Sequence, residues 1–204
     1  MPTIATIVEG HGEVEAVPIL LRRIAERLSP DLNVRIRPPI RVMRDRVLKA
    51  GELERTVELA ARQTQPDGCI LILLDAENDC PAETAPEVLR RAQAARGDRA
   101  IRVVLATSEY ETWFLAAADS IAGRHGIYAL TEPPADPESI AGAKEWLRQR
   151  MPAGRRYRET LHQPALTAIF DLDAARAAPS FDKLWRDVSE LLGAGEQHEE
   201  LETQ

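Results

Sequence analysis

The residues able to do chemistry in this 204-residue chain gather where apolar runs stop. The stretch IATIVEGHGEVEA (4–16) carries an apolar run into Glu9, followed by Gly10 and Gly12. A second run, CILILLDAENDC (69–80), ends in Asp75, Glu77 and Asp79. A third segment, ATSEYETW (106–113), follows another apolar run and adds Glu109 and Glu111. Hard divalent cations such as Mg2+ take oxygen ligands, commonly from carboxylates. In open α/β sheets, ligands bind outside the carboxyl ends of the strands. Strands that deliver acids to that edge are therefore a recipe for a divalent metal site. Asp75 and Glu77 are alternate residues and point to one side of an extended chain. Asp79 joins them only if the chain bends, and Glu9 comes from the neighbouring strand end. So many acids held at one edge would repel each other strongly without a cation.

Acids after strands also serve as loop residues, N-caps or helix-start charges. Glu13 and Glu15 read as first-turn helix charges, and Asp79 as a cap of the turn before Pro81. For Glu9, Asp75 and Glu77 together, the metal reading outweighs that alternative. Other motifs fail on particular residues. GHGEVE (10–15) has Glu15 where a dinucleotide fingerprint needs its third glycine, and Glu9 would repel a pyrophosphate. There is no GxxxxGK phosphate loop. DAENDC opens like a calcium loop, but Cys80 and Pro86 stand where the hinge glycine and terminal glutamate belong. Ser108 lacks an obvious histidine partner for a hydrolase triad. His11 beside Glu9 could act as a base or touch a phosphate, although a histidine in a glycine turn is more often just solvated.

The elements that must position these residues follow from periodicity. Strands are expected at Thr3–Val8, Asn33–Arg37, Cys69–Leu74 and Ile101–Ala106. Helical spacing is expected over Glu13–Leu28, Glu52–Gln63 and Pro86–Arg96, with a further helix over Glu111–Ala118. Alternating strands and helices predict a mainly parallel α/β sheet. From about Gly123 the texture changes, with Pro133, Pro134 and Pro137 marking a connection. Helices are expected near Pro137–Arg150, Pro164–Phe170 and Phe181–Leu192, with no further strand. The predicted organisation is an α/β domain over 1–122, a helical extension packed on it over 123–192, and an acidic, frayed tail over 193–204.

Bulk composition bounds the rest. Hydrophobic residues make up 44% and charged residues 29%, as in a soluble globular protein. No apolar stretch is long enough to span a bilayer. MPTIATIVEG has neither a basic n-region nor a cleavable apolar region, and Cys69 and Cys80 lack metal or redox spacing. A cytoplasmic protein with reduced thiols is expected. The net charge of −7 argues against a general electrostatic nucleic-acid coat, but local basic stripes can override it. Arg35, Arg37, Arg41, Arg44, Arg46 and Lys49 form one such stripe. Lys144, Arg148, Arg150, Arg155, Arg156 and Arg158 form another, with Trp146 and Tyr157 interleaved. Arginine suits phosphate. For the first stripe, a solvated face with surface ion pairs is an equal reading. The second leans towards function, with His11, Lys144, Arg155, Arg156 and Tyr157 as phosphate or nucleic-acid contacts.

IVEGHGEVEAVPILLRRI, LILLDAENDCP, SEYETWFLAA and the SFDKLW segment together resemble the Toprim domain of topoisomerases, primases and overcoming-lysogenization-defect (OLD) nucleases. The closer resemblance is to a Toprim-like bacterial family of unknown function, domain of unknown function 4276, and it covers most of the chain. The resemblance implies a Toprim-like fold and Mg2+- or Mn2+-dependent phosphodiester chemistry on nucleic acid. It makes Glu9 the first-strand glutamate, a metal ligand or general acid/base. Asp75 and Glu77 take the two positions of the DxD motif, the second being one methylene longer here. Asp79 becomes a third acid of that loop, and Glu109 and Glu111 match the later acidic motif. Trp113 and Phe114 pack the helix. A separate ATPase partner in a defence system is a further implication, since the chain has no ATPase motif of its own. The competing expectations are a catalytically weak subunit that binds metal or a partner, and a small-molecule nucleotide phosphohydrolase.

Overall fold

The computed structural model describes residues 1–77 and 79–193. The tail expected from 193 onwards lies, after Gly193, outside the described residues. Three segments of β-branched and aliphatic residues build the centre. β1 spans Thr3–Val8, β4 Cys69–Asp75 and β5 Ile101–Ala106. The expected strand over Asn33–Arg37 is instead a split edge, with β2 at Arg35–Ile36 and β3 at Ile40–Arg41. Pro38 and Pro39 between them have no N–H to give to a ladder, which interrupts the strand and confines it to an edge. Both pieces pair with β1 in parallel, through Thr3↔Arg35 and Val8↔Arg41. β1 pairs with β4, and β4 with β5, also in parallel. The strand order is β2-β1-β4-β5, with β3 continuing on β2's side of β1.

This order positions the site. The chain leaves β1 in one direction to β2 and β3, then returns to β4 on the other side of β1. A crevice opens between the carboxyl ends of β1 and β4 at such a reversal. Glu9 follows one of those ends and Asp75 completes the other.

Both faces of the sheet are covered, as near-continuously apolar strands require. On one face Leu20, Leu21 and Ile24 of α1 (Glu13–Leu28) pack on Val8, Leu71, Leu73 and Val104. On the other, Leu53 and Val57 of α3 (Glu52–Gln63) and Val88 of α4 (Pro81–Ala95) cover Ile7, Ile70, Ile72 and Leu74. A short α2 (Arg44–Val47) precedes α3. The sequence pattern starts a helix at Pro86, but the helix begins at Pro81. Proline suits a first turn, and Pro86 removes only one internal hydrogen bond.

After β5 come α5 (Thr112–Ala116) and α6 (Ala118–Ile121), a 3-10 turn at Pro137–Ser139, and α7 (Ala143–Gln149). They are followed by α8 (Glu159–Thr167), α9 (Leu172–Ala175) and α10 (Pro179–Leu191). Here too the pattern begins a helix at a proline, Pro164, which α8 carries inside it. α8 and α10 pack on α1, and α10 also packs on β5. Trp113 and Phe114 are fully buried and join Tyr110, Phe170 and Phe181 in a cluster of tilted and edge-on aromatic rings, the packing role expected of them. Among the described residues no helix is long and apolar enough to cross a membrane. Cys69 is buried, Cys80 is exposed, and both are free thiols.

Candidate functional site

The turn after β1 is shaped by its glycines. A Cβ on Gly12 would lie 2.9 Å from the Glu159 carbonyl oxygen, so the start of α1 sits directly on the backbone of α8. A Cβ on Gly10 would meet the Glu13 carboxylate at 3.1 Å. That space lets Glu13 fold back, and its Oε2 accepts the N–H groups of Glu9 (2.9 Å) and Gly10 (3.2 Å). Glu13 is therefore the buried brace of the Glu9 turn as well as a first-turn charge. Burial pushes its carboxyl from 4.5 up to about 7. Glu9 is half-buried, and its buried Oε2 has no hydrogen-bond partner among the described residues. Burial, then the charge of Glu77, raises the Glu9 carboxyl above its ordinary value.

Asp75 ends β4, where its Oδ1 accepts the Tyr110 N–H at 2.8 Å. Burial raises its carboxyl well above the ordinary value, and the charges of Glu13 and Glu111 add to the effect. Past Asp75 the pairing continues from Ala76 N–H to the Ala106 oxygen (2.8 Å) and from Glu77 N–H to the Ser108 oxygen (3.1 Å). Glu77 has left the extended conformation, with φ 50°, and Ser108 has φ 61°. The same-side expectation for Asp75 and Glu77 fails for that reason. Glu77 is exposed and pairs with Arg44 at 3.4 Å, and Arg44 also pairs with Asp79. Arg44 itself is only 8% exposed, so this member of the first basic stripe is a buried clasp for the loop and not part of a solvated face.

The third acidic segment meets the chain beyond residue 123. Glu109 Oε2 accepts the backbone N–H of Lys144 at 3.0 Å. The Lys144 ammonium lies 3.4 Å from Glu109, 3.8 Å from Glu111 and 3.0 Å from Glu159. Glu111 is fully buried, and its Oε1 accepts the Tyr157 hydroxyl at 2.9 Å. Its Oε2 has no hydrogen-bond partner among the described residues. Burial pushes Glu111 up to about 8, with Lys144 pulling it back and Glu109 adding to the rise. Burial alone would lower the Lys144 ammonium, but Glu111 and Glu109 outweigh it and hold the group above its ordinary value. The Tyr157 hydroxyl is pushed well up by burial and by the charge of Glu111.

Two cavities join these groups. One, of about 240 Å3, is walled by Glu9, Glu13, His11, Arg41, Asp75, Lys144 and Glu159 among others. The other, of about 470 Å3, shares His11, Lys144 and Glu159 and adds Arg148, Tyr157 and Arg158. The predicted contacts Arg155 and Arg156 are exposed and border neither cavity, and neither do Glu77, Asp79, Glu109 and Glu111. A separate cavity of about 530 Å3 is an apolar groove between α4 and α10 that none of these strand-end acids borders. Sequence reasoning missed Arg41, Arg148, Arg158 and Glu159 as individual site residues. For Arg41 the signal is its register beside Val8, one residue before Glu9, which only the pairing of β3 reveals.

Among the described residues, no group of three or more Asp, Glu, His or Cys side chains is already placed to hold a metal ion. Mg2+ asks for less, because it is commonly held by one or two carboxylates together with waters and substrate phosphates. Glu9 and Asp75 fit that role. They share one cavity, burial raises both carboxyls above their ordinary values, and Glu9 brings a buried oxygen with no hydrogen-bond partner among the described residues.

A family model described as a domain of unknown function (DUF4276) matches residues 8–189. The chain belongs to this family. The match to DUF4276 runs from the last residue of β1 into α10 and contains every acid and base of the two joined cavities. No curated protein and no solved structure matches the chain.

Proposed function

We propose that this DUF4276 protein carries out Mg2+- or Mn2+-dependent phosphodiester chemistry on nucleic acid, as its resemblance to Toprim and OLD-type nucleases implies. The observation that carries the reading is the junction of the two cavities. An acidic cavity at the carboxyl ends of β1 and β4 shares the walls His11, Lys144 and Glu159 with a neighbouring groove that carries Arg158 and Arg148, the latter paired with Glu145. An anionic backbone laid along that groove presents a phosphate to Glu9 and Asp75. A bound cation would polarise the phosphate and activate water at neutral pH. The residues do the remaining work. Glu9 and Asp75 would hold the cation, and Glu13 fixes the Glu9 turn by its two backbone contacts. Arg41, which lines the same cavity and makes no ion pair among the described residues, would receive the phosphate. The neighbouring groove, which shares three walls with the acidic cavity, favours a polymer over a single nucleotide.

The test is cleavage of labelled single- and double-stranded DNA and RNA with Mg2+, Mn2+ or EDTA. Cation-dependent cleavage by wild type, lost in Asp75→Asn, supports the reading. Cleavage that survives in Asp75→Asn contradicts it. A second reading, a binding subunit with weak or no catalysis, rests on Lys144, which already neutralises part of the acidic cluster. It predicts cation binding without cleavage unless a partner, such as the ATPase that the OLD resemblance implies, is added.

A further inference from the structure

The acids of this site divide into two sets, and only one lacks a cation of its own. Glu109, Glu111 and Glu159 surround the Lys144 ammonium at 3.4, 3.8 and 3.0 Å. They arrive from the turn after β5, the approach to α5 and the first residue of α8. Lys144 is held there twice, since its backbone N–H also binds Glu109. Glu9 and Asp75 form the other set; Lys144 lines their cavity too, but neither acid makes an ion pair among the described residues.

Resting on the metal-dependent reading above, we propose that the Lys144 ammonium occupies the place of a second divalent cation. The site then binds one Mg2+ or Mn2+, at Glu9 and Asp75, and not two. Spacing supports this. Mg2+ draws its oxygens in to about 2.0–2.1 Å. The three acids around Lys144 stand at ion-pair distances from a nitrogen. Charge supports it as well, because a dication among those acids would face the ammonium at close range. Glu111 supplies an independent sign that the place is built for a cation. It is fully buried, and its Oε2 has no hydrogen-bond partner, leaving Lys144 as the one cation that the described residues set near it. With Lys144 gone, Glu109, Glu111 and Glu159 have no ion-pair partner among the described residues, and a vacancy for a dication opens.

The test is the number of Mn2+ ions bound per full-length chain, read by electron paramagnetic resonance titration. Wild type should bind one, Lys144→Ala two, and Lys144→Arg, which keeps the charge, one. Circular dichroism confirms that each variant is folded, and Lys144→Gln replaces the alanine variant if that one fails. Two ions in wild type overturn the inference and leave the metal reading standing. One ion in both wild type and the folded, uncharged variant also overturns it. No ion in any form sinks the metal reading and this inference with it.

Discussion

Replacing Glu111 by glutamine should remove part of an unusual pH dependence. Glu111 is fully buried, and its carboxyl rises from 4.5 to about 8 because burial outweighs the pull of Lys144. The native state therefore keeps a proton that the unfolded chain gives up. The stability from this group is fully present below about pH 4.5 and is lost as the pH climbs through about 8. Each tenfold change in proton affinity is worth about 1.36 kcal/mol, so the loss amounts to about 5 kcal/mol. Glutamine keeps the shape and can still accept the Tyr157 hydroxyl, but it never ionises. Wild type and Glu111→Gln should coincide in stability at about pH 4. By about pH 9 the variant should be the more stable, by up to about 5 kcal/mol. Glu9, Glu13 and Asp75 are raised in the same direction, so the variant keeps part of the downward slope. Urea unfolding in EDTA across this pH range measures the difference directly. A variant less stable than wild type at the alkaline end would refute the reasoning, because it would mean that Lys144 lowers the Glu111 carboxyl by more than burial raises it.

Two further substitutions probe the scaffold. Gly12→Ala places a Cβ 2.9 Å from the Glu159 carbonyl oxygen, and this overpacking should lower stability by about 1–3 kcal/mol in chemical denaturation. Unchanged stability would show that α1 and α8 can move apart freely at this contact. Arg44→Ala frees Glu77 and Asp79 and removes a buried, charge-assisted contact to each, so the stability loss should be about 1.5–3 kcal/mol. The amides of Glu77 and Asp79 should exchange faster with solvent in that variant, and unchanged exchange would show that Arg44 does not hold the loop.

The sheet was legible because its strands are dense in aliphatic residues and its helices show regular apolar spacing. β1, α1, α3 and β5 stand at their expected boundaries. Proline misled in both directions. Pro38 and Pro39 split an edge strand, and Pro86 and Pro164 sit inside helices that begin earlier. Glu9 and Asp75 were readable as a pair because strand ends fix their positions. Glu77 was not, because a local rule for extended chains cannot anticipate a left-handed residue two positions on. The link from Lys144 to Glu109 and Glu111 spans the boundary in texture near Gly123 and depends on tertiary packing. Composition can mark that segment as basic, but only the fold shows that its lysine faces acids.

The central claim is that Glu9 and Asp75 form a divalent cation site, and thermal unfolding tests it most directly. The melting temperature would be compared in EDTA, Mg2+ and Mn2+ for wild type and for the Glu9→Gln/Asp75→Asn double variant. Ligand at a hundredfold its Kd stabilises the native state by about 2.7 kcal/mol. The account predicts a clear rise in melting temperature with either cation in wild type and none in the double variant. No rise in wild type, or an equal rise in both proteins, would contradict it.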